Sequence, residues 1–333
     1  MAEFTGVRLA RPRAEITRRS FALGATALGA SLPWRAAFAQ DVKPAAKVFL
    51  DYTQKELDDA YDQNVWAKNA QEVIKRYITN SAAAKAKYKF ETKSYGAGED
   101  ETLDIYPPLK DAAGAPVHVF VHGGAWRSGS KDAYAFLAPT FVETGAYYVA
   151  INFSNIPNVR LPEMADQVRR AVAWVHKNAK SFGGDPERIY ISGHSSGGHL
   201  CAEALTTDWP RYGATETVLK AGLVVSGMFD LDPVMLSARS SYVKISKEER
   251  EALSPQRHLG LIRCPITLAH GDKESPEFMR QARDFAAILK EKVKTRSELV
   301  VGKGFNHFEV IETLAKPDGF LGRVALRQMG LAA

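Results

Sequence analysis

Between residues 117 and 301, short apolar runs alternate with stretches of helical period, and few architectures accept that alternation. The runs lie at 117–121, 147–153, 189–191, 221–225, 265–269 and 298–301. They are continuously apolar rather than alternating, as strands buried on both faces are. Between the second and third, residues 162–181 place Met164, Val168, Val172 and Val175 on one helical face. Gly183-Gly184-Asp185-Pro186 ends that helix. Further helices are expected at 197–205 and 276–290. The pattern predicts an α/β fold, a mostly parallel central sheet with helices on both faces. Ahead of it, residues 50–77 have helical character, and strands are expected at 90–95 and 102–106 around Gly96-Ala97-Gly98. Residues 232–258 break the pattern and are expected to be a short cap-like insertion over the sheet's carboxyl edge. No repeat or low-complexity segment interrupts the chain, so residues 40–333 are expected to form one catalytic domain.

The first 39 residues have a different character. Thr17-Arg18-Arg19-Ser20-Phe21 precedes an apolar stretch at 22–32 and then Ala37-Phe38-Ala39. That order is expected of an export signal of the twin-arginine kind, cut after Ala39, with a periplasmic or secreted product. The apolar stretch is shorter than the roughly 20 residues a bilayer span needs, so no membrane anchor is expected. The formal charge is +6 over the 333 residues, but residues 1–39 hold six Arg against two Glu, leaving +2 for the rest. Nucleic acid is therefore not an expected partner. The 2 Cys, Cys201 and Cys264, match no zinc spacing and are read as buried thiols. No metal or organic cofactor is implied, and oligomeric state carries no signal.

Gly193-His194-Ser195-Ser196-Gly197-Gly198 fits G-x-S-x-G. It follows an expected strand and opens an expected helix, the context in which a sharp turn presents a nucleophilic serine. Ser195 is the serine in that register. His122-Gly123-Gly124-Ala125-Trp126 ends the 117–121 strand, where acyl-transfer enzymes of this architecture place backbone donors for an oxyanion. Gly123, Gly124 and Ala125, with the Ser196 N–H at the helix start, are the candidate donors. Of eight histidines only His307 lies beyond residue 270, and the nucleophile–acid–base order requires one there. The acid falls in His270-Gly271-Asp272-Lys273-Glu274-Ser275-Pro276-Glu277-Phe278. Glu274 is favoured and Asp272 is the alternative; Glu277 falls inside the next helix, where it supports the N-terminus. Trp126, Phe153 and Phe229 lie near strand ends, where they either line an aromatic pocket or pack the core.

Together, HGGAW, GHSSGG, Glu274-Ser275-Pro276-Glu277-Phe278 and Asn306-His307-Phe308 resemble the kynurenine formamidase (arylformamidase) branch of the α/β-hydrolases. Ser226-Gly227-Met228-Phe229-Asp230-Leu231 and Tyr61-Asp62-Gln63-Asn64 are similar too, so the likeness spans most of the chain after residue 40. That branch usually has Asp where this chain has Glu274, which supports Glu274 as the acid. The resemblance implies a serine hydrolase cleaving formyl or acetyl groups from aryl amides or esters through an acyl-enzyme. The substrate is then a small, aromatic ester or amide. An exported carboxylesterase or carbamate hydrolase is the alternative, and a non-catalytic binding protein on the same scaffold a lesser one.

Overall fold

Alternate residues of the central strands belong to two different cores. In the computed structural model, which describes residues 45–110 and 113–331, Val117, Val119 and Val121 pack into one apolar cluster while Phe120 packs into the other. Tyr147, Val149 and Ile151 divide from Tyr148 and Ala150 in the same way. A strand's side chains alternate between faces, so a strand apolar throughout requires a covering layer on each face.

The eight sheet strands are β1 (Glu91–Ser94), β2 (Thr102–Tyr106), β3 (Ala115–Val121), β4 (Tyr147–Ile151), β5 (Gly184–His194), β6 (Leu219–Val225), β7 (Ile266–Gly271) and β8 (Ser297–Gly302). Their spatial order is β8-β7-β6-β5-β3-β4-β2-β1. Strands β3 to β8 are parallel; β1 pairs antiparallel with β2, and β2 with β4. The main helices are α1 (Gln54–Tyr61), α2 (Ala70–Lys87), α3 (Leu161–Phe182), α4 (Ser196–Leu205), α5 (Pro276–Lys292) and α6 (Phe320–Met329). Helices α3, α4 and α5 cover one face through Val168, Val172, Leu200, Phe278 and Phe285. On the other face α2 and α6 contribute Val73, Tyr77, Leu321 and Val324.

The expected elements are present with shifted ends. Helix α1 begins one residue after Thr53, whose side chain and Glu56 form a capping box. The helical character expected to stop near residue 77 continues to Lys87, over an alanine-rich stretch that favours helix. Gly183 ends α3 at φ 99°, and β5 starts at the next residue, earlier than the apolar run alone indicates. Residues 232–258 hold three short α-helices, Asp232–Leu236, Ser240–Val243 and Lys247–Ala252, and a 3-10 turn at Pro255–Arg257. Ala45–Ala333 forms one unit. The expected signal segment, residues 1–39, lies outside the described residues. Among the described residues, no helix is long and apolar enough to cross a membrane.

The topology itself selects a site. Adjacent strands β3 and β5 send the chain to opposite faces: the helical stretch after β3 packs in the second cluster and α4 in the first. A crevice opens at the carboxyl ends of strands where the winding reverses.

Candidate active site

Ser195 follows the last residue of β5 and caps α4, with φ 59° and ψ −123°. Such a conformation is costly for a residue with a side chain and persists only where its surroundings enforce it. Here the Ser195 N–H donates to the Val225 carbonyl at 2.9 Å. The following helix can approach β3 because Gly197 is bare: a Cβ there would lie 2.2 Å from the His122 carbonyl oxygen. The turn thus lifts Ser195 above the sheet edge into a cavity of about 720 Å³.

Three other strand ends converge on that serine. Ser195 Oγ lies 2.9 Å from His307 Nε2, on the loop after β8, and His307 Nδ1 lies 2.8 Å from Glu274 Oε2, on the loop after β7. The other Glu274 oxygen, Oε1, accepts the Ser226 hydroxyl and the Gly271 N–H, both at 2.6 Å. Ser226 follows β6 with φ 52°. All four side chains are buried or nearly so. The carboxylate is therefore oriented by two donors on one oxygen, and the imidazole tautomer is set by the other. Behind the imidazole, His194 Nε2 donates to the His307 carbonyl at 2.9 Å. Burial holds His194 well below its ordinary pKa, with the charge of His307 acting in the same direction.

The loop after β3 forms the facing wall. Gly123, Gly124 and Ala125 all line the cavity with Ser195, His194 and His307. Gly124 takes φ 131°, and a Cβ there would lie 1.9 Å from the Ser128 carbonyl oxygen. Ala125 is also left-handed, at φ 54°. Ser196 is buried as the first residue of α4, and helix geometry leaves its N–H without an intrahelical acceptor. His122 Nδ1 donates to the Gly123 carbonyl at 2.9 Å while its ring stacks on Phe153. Burial lowers the His122 pKa to about 4, so it shapes the loop as a neutral ring.

Comparison with known proteins shows the family. The chain is 31% identical over 292 residues to kynurenine formamidase of Salmo salar, covering 84% of this chain and 98% of that one. The chain belongs to the kynurenine formamidase family of α/β-hydrolases. It is a hydrolase. It is also 30% identical to esterase LipQ of Mycobacterium tuberculosis, over 71% of this chain and 62% of that one. The family model BD-FAE matches residues 103–214, and that of the prolyl oligopeptidase family residues 163–320. A crystal structure from Silicibacter, provisionally assigned as a thioesterase, superposes with a TM-score of 0.72 at 27% identity. It covers 81% of this chain and 98% of that one.

Within this hydrolase, Asp272 is separated from His307. It is exposed and accepts the Gly304 N–H at 2.7 Å, closing the turn before the histidine loop. Glu277 is fully buried and accepts the Tyr61 hydroxyl at 2.9 Å, so it ties α1 to α5 as well as opening the helix. The three aromatics offered as pocket lining are core instead. Trp126 meets His199 edge-on, Phe153 stacks on His122, and Phe229 stacks on Phe285 at 4.5 Å. Each is at most 2% exposed and outside the cavity lining. A strand end points the next residue either up into the crevice or down into a cluster, and apolar character alone does not distinguish the two.

The aromatic wall is built from Tyr61, Tyr77, Tyr134, Tyr242 and Phe308. Tyr61 and Tyr77 come from α1 and α2, far in sequence from the serine, acid and histidine motifs. In sequence, the Leu57–Tyr61 spacing reads as a buried helical face, and the likeness of Tyr61-Asp62-Gln63-Asn64 to the family assigns Tyr61 no place on a cavity wall. Ala238, Arg239, Ser241 and Tyr242 of the 232–258 insertion also line the cavity. Cys201 and Cys264 are buried and free. Among the described residues, no group of three or more His, Cys, Asp or Glu is placed to hold a metal ion.

Proposed function

We propose that this protein removes a small acyl group, formyl or acetyl, from an aryl amide or ester by two-step transfer through Ser195. The carrying observation is the unbroken chain from Ser195 Oγ through His307 to Glu274, with contacts of 2.9 and 2.8 Å and with Ser195 and His307 lining one cavity. His307 takes the Ser195 proton as the hydroxyl attacks, and Glu274 steadies the imidazolium that forms. N–H groups of Gly123, Gly124, Ala125 and Ser196 receive the oxyanion, each such donor being worth about 3 kcal/mol in the transition state. His307 then protonates the leaving amine or alcohol, and water repeats the sequence on the acyl-enzyme. Five aromatic side chains on the cavity wall support an aromatic leaving group.

The relatives support two substrate classes. Kynurenine formamidase suggests an aryl formamide such as N-formylkynurenine, and the likeness to an esterase suggests a carboxylic ester. Measuring kcat/KM on N-formylkynurenine and on p-nitrophenyl acetate side by side decides between them. A strong preference for the formamide carries the first reading; formamide turnover at background with rapid ester cleavage replaces it with the second. Turnover of neither, with no labelling of Ser195 by a fluorophosphonate, overturns both. Export through residues 1–39 is part of the same proposal, and the amino-terminal sequence of the protein recovered from cells tests it.

A further inference from the structure

The cavity wall holds a buried cation with no ion-pair partner among the described residues. Arg239 is 9% exposed and lines the cavity that contains Ser195. Its Nε and Nη2 donate to the Tyr61 carbonyl at 3.1 and 2.6 Å, and Nη1 faces the Met228 sulfur at 3.7 Å. Rings of Tyr61, Trp126 and Phe278 surround the guanidinium at 5.6 to 5.7 Å. Among the described residues, no carboxylate pairs with it. A guanidinium carries five N–H donors and stays charged. One carbonyl and a thioether leave the charge and part of the donor fork unmet.

A staple between the insertion and α1 explains the bonds to Tyr61 but not the charge, since a neutral donor would serve a carbonyl equally well. Aromatic faces ease the burial of a cation without accepting hydrogen bonds in the plane of the fork. Asp58 and Asp62 also line the cavity, but neither forms an ion pair with Arg239, and each holds other donors through Oδ1. Asp62 Oδ1 accepts the Asn64 N–H and Nδ2 at 3.0 and 2.8 Å. Asp58 Oδ1 accepts Gln54 Nε2 and the Ala238 N–H at 2.9 and 2.6 Å. A second cation, Arg127, lines the same cavity over the Tyr242 ring at 4.7 Å.

Position matters as much as charge. The Phe278 ring touches both centres, 5.0 Å from the His307 ring and 5.7 Å from the Arg239 guanidinium. His307 and Arg239 both line the cavity over that buried ring, so one ligand in the cavity can meet both.

We infer that Arg239 is a carboxylate-binding group of this cavity, so that the substrate bears an anionic carboxylate remote from its acyl bond. The inference rests on the reading that Ser195 is attacked and acylated in this cavity. It makes Arg239 a specificity-determining residue, acting on binding rather than on the acyl transfer itself. Fork-like pairing with a carboxylate satisfies the remaining donors and neutralises the buried charge.

Calorimetric titration of the whole protein with 4-phenylbutyrate and with 4-phenylbutanol tests this without any turnover. The carboxylate should bind about tenfold or more tightly than the alcohol, as for a hydrogen bond to a charged group. In Arg239→Met that preference should vanish, while Arg239→Lys, which keeps the charge but loses the fork, should retain part of it. Equal binding of the two ligands by the unaltered protein overturns the inference, as does an undiminished preference in Arg239→Met. Should Arg239→Met not fold, a crystal structure with 4-phenylbutyrate decides: the carboxylate lies on Arg239, or the inference fails. Fluorophosphonate labelling of Ser195 reports on the acyl-transfer reading separately, so the failure of one is distinguishable from failure of the other.

Discussion

Glu274 and His307, 33 residues apart in sequence, meet at 2.8 Å between Oε2 and Nδ1, and the carboxylate is held for that contact by the Ser226 hydroxyl on its other oxygen. The carboxylate is thus positioned by β6 and β7 together, and the imidazole by β8. Removing Ser195 or Glu274 should stop turnover by different routes. Ser195→Ala should fold normally and lose nearly all activity. Glu274→Gln should lower kcat by orders of magnitude, because an amide sets the wrong imidazole tautomer. Asp272→Asn should lose little, since its side-chain carbonyl can still accept the Gly304 N–H. Steady-state kinetics on the three purified variants check this, and a greater loss in Asp272→Asn than in Glu274→Gln would falsify the assignment of the acid.

Ser226 holds Glu274, the proposed acid, by a hydrogen bond at 2.6 Å. A hydrogen bond to a charged group is worth roughly 1.5–3 kcal/mol, so Ser226→Ala should reduce kcat about ten- to hundredfold while KM stays near its original value. Ser226→Gly separates geometry from stability: glycine suits the φ of 52° yet also lacks the hydroxyl. Both variants should show the same fall in kcat, with the glycine protein the more stable of the two by thermal melting. A shared rise in KM, or recovery of kcat in the glycine protein, contradicts the role.

Phe229 distinguishes core from pocket. Stacked on Phe285 and almost fully buried, it should cost about 1–2 kcal/mol of stability when replaced by Leu, as a tight core site does. The ratio of kcat/KM between formamide and ester should not change. Denaturant unfolding and the two-substrate assay are the measurements, and a changed ratio at unchanged stability would return Phe229 to the cavity wall.

Glu203, on the last turn of α4, supplies a pH signature. Burial raises its carboxyl pKa to about 7, the nearby Arg169 guanidinium opposing the rise. A folded-state pKa above the unfolded one means that the folded protein binds the extra proton. Its stabilising contribution is therefore full below about pH 4.5 and is lost as pH climbs through 7. The window corresponds to on the order of 3 kcal/mol. Melting temperatures should fall between pH 5 and 8, and Glu203→Gln should flatten that slope. An unchanged slope in the variant would assign the pH dependence to other groups.

Part of this site was legible without a fold. The G-x-S-x-G run, the glycine loop after a strand and a lone late histidine are local patterns, and local backbone geometry dictates them: a turn as tight as that at Ser195 leaves no space for side chains at its flanks. The choice between Glu274 and Asp272 was only half legible, resting on register within a family pattern. Two residues separate them in sequence, but the turn after β7 sends one carboxylate inward to His307 and leaves the other exposed on Gly304.

The alternation of apolar runs with helical stretches determined by itself a parallel sheet covered on both faces, because strands apolar throughout can be buried in no simpler way. The short motifs marked the strand ends at which Ser195, Glu274, His307 and the glycine loop come together. Only the tertiary structure decided what walls the cavity. Tyr61, Tyr77, Arg239 and Tyr242 reach the cavity of Ser195 from chain segments more than 40 residues away, and no local pattern marks a side chain that faces a crevice rather than a core. That distinction is made when α1, α2 and the 232–258 insertion pack over the carboxyl edge of the sheet, burying Trp126, Phe153 and Phe229 beneath it and leaving a cation on its wall.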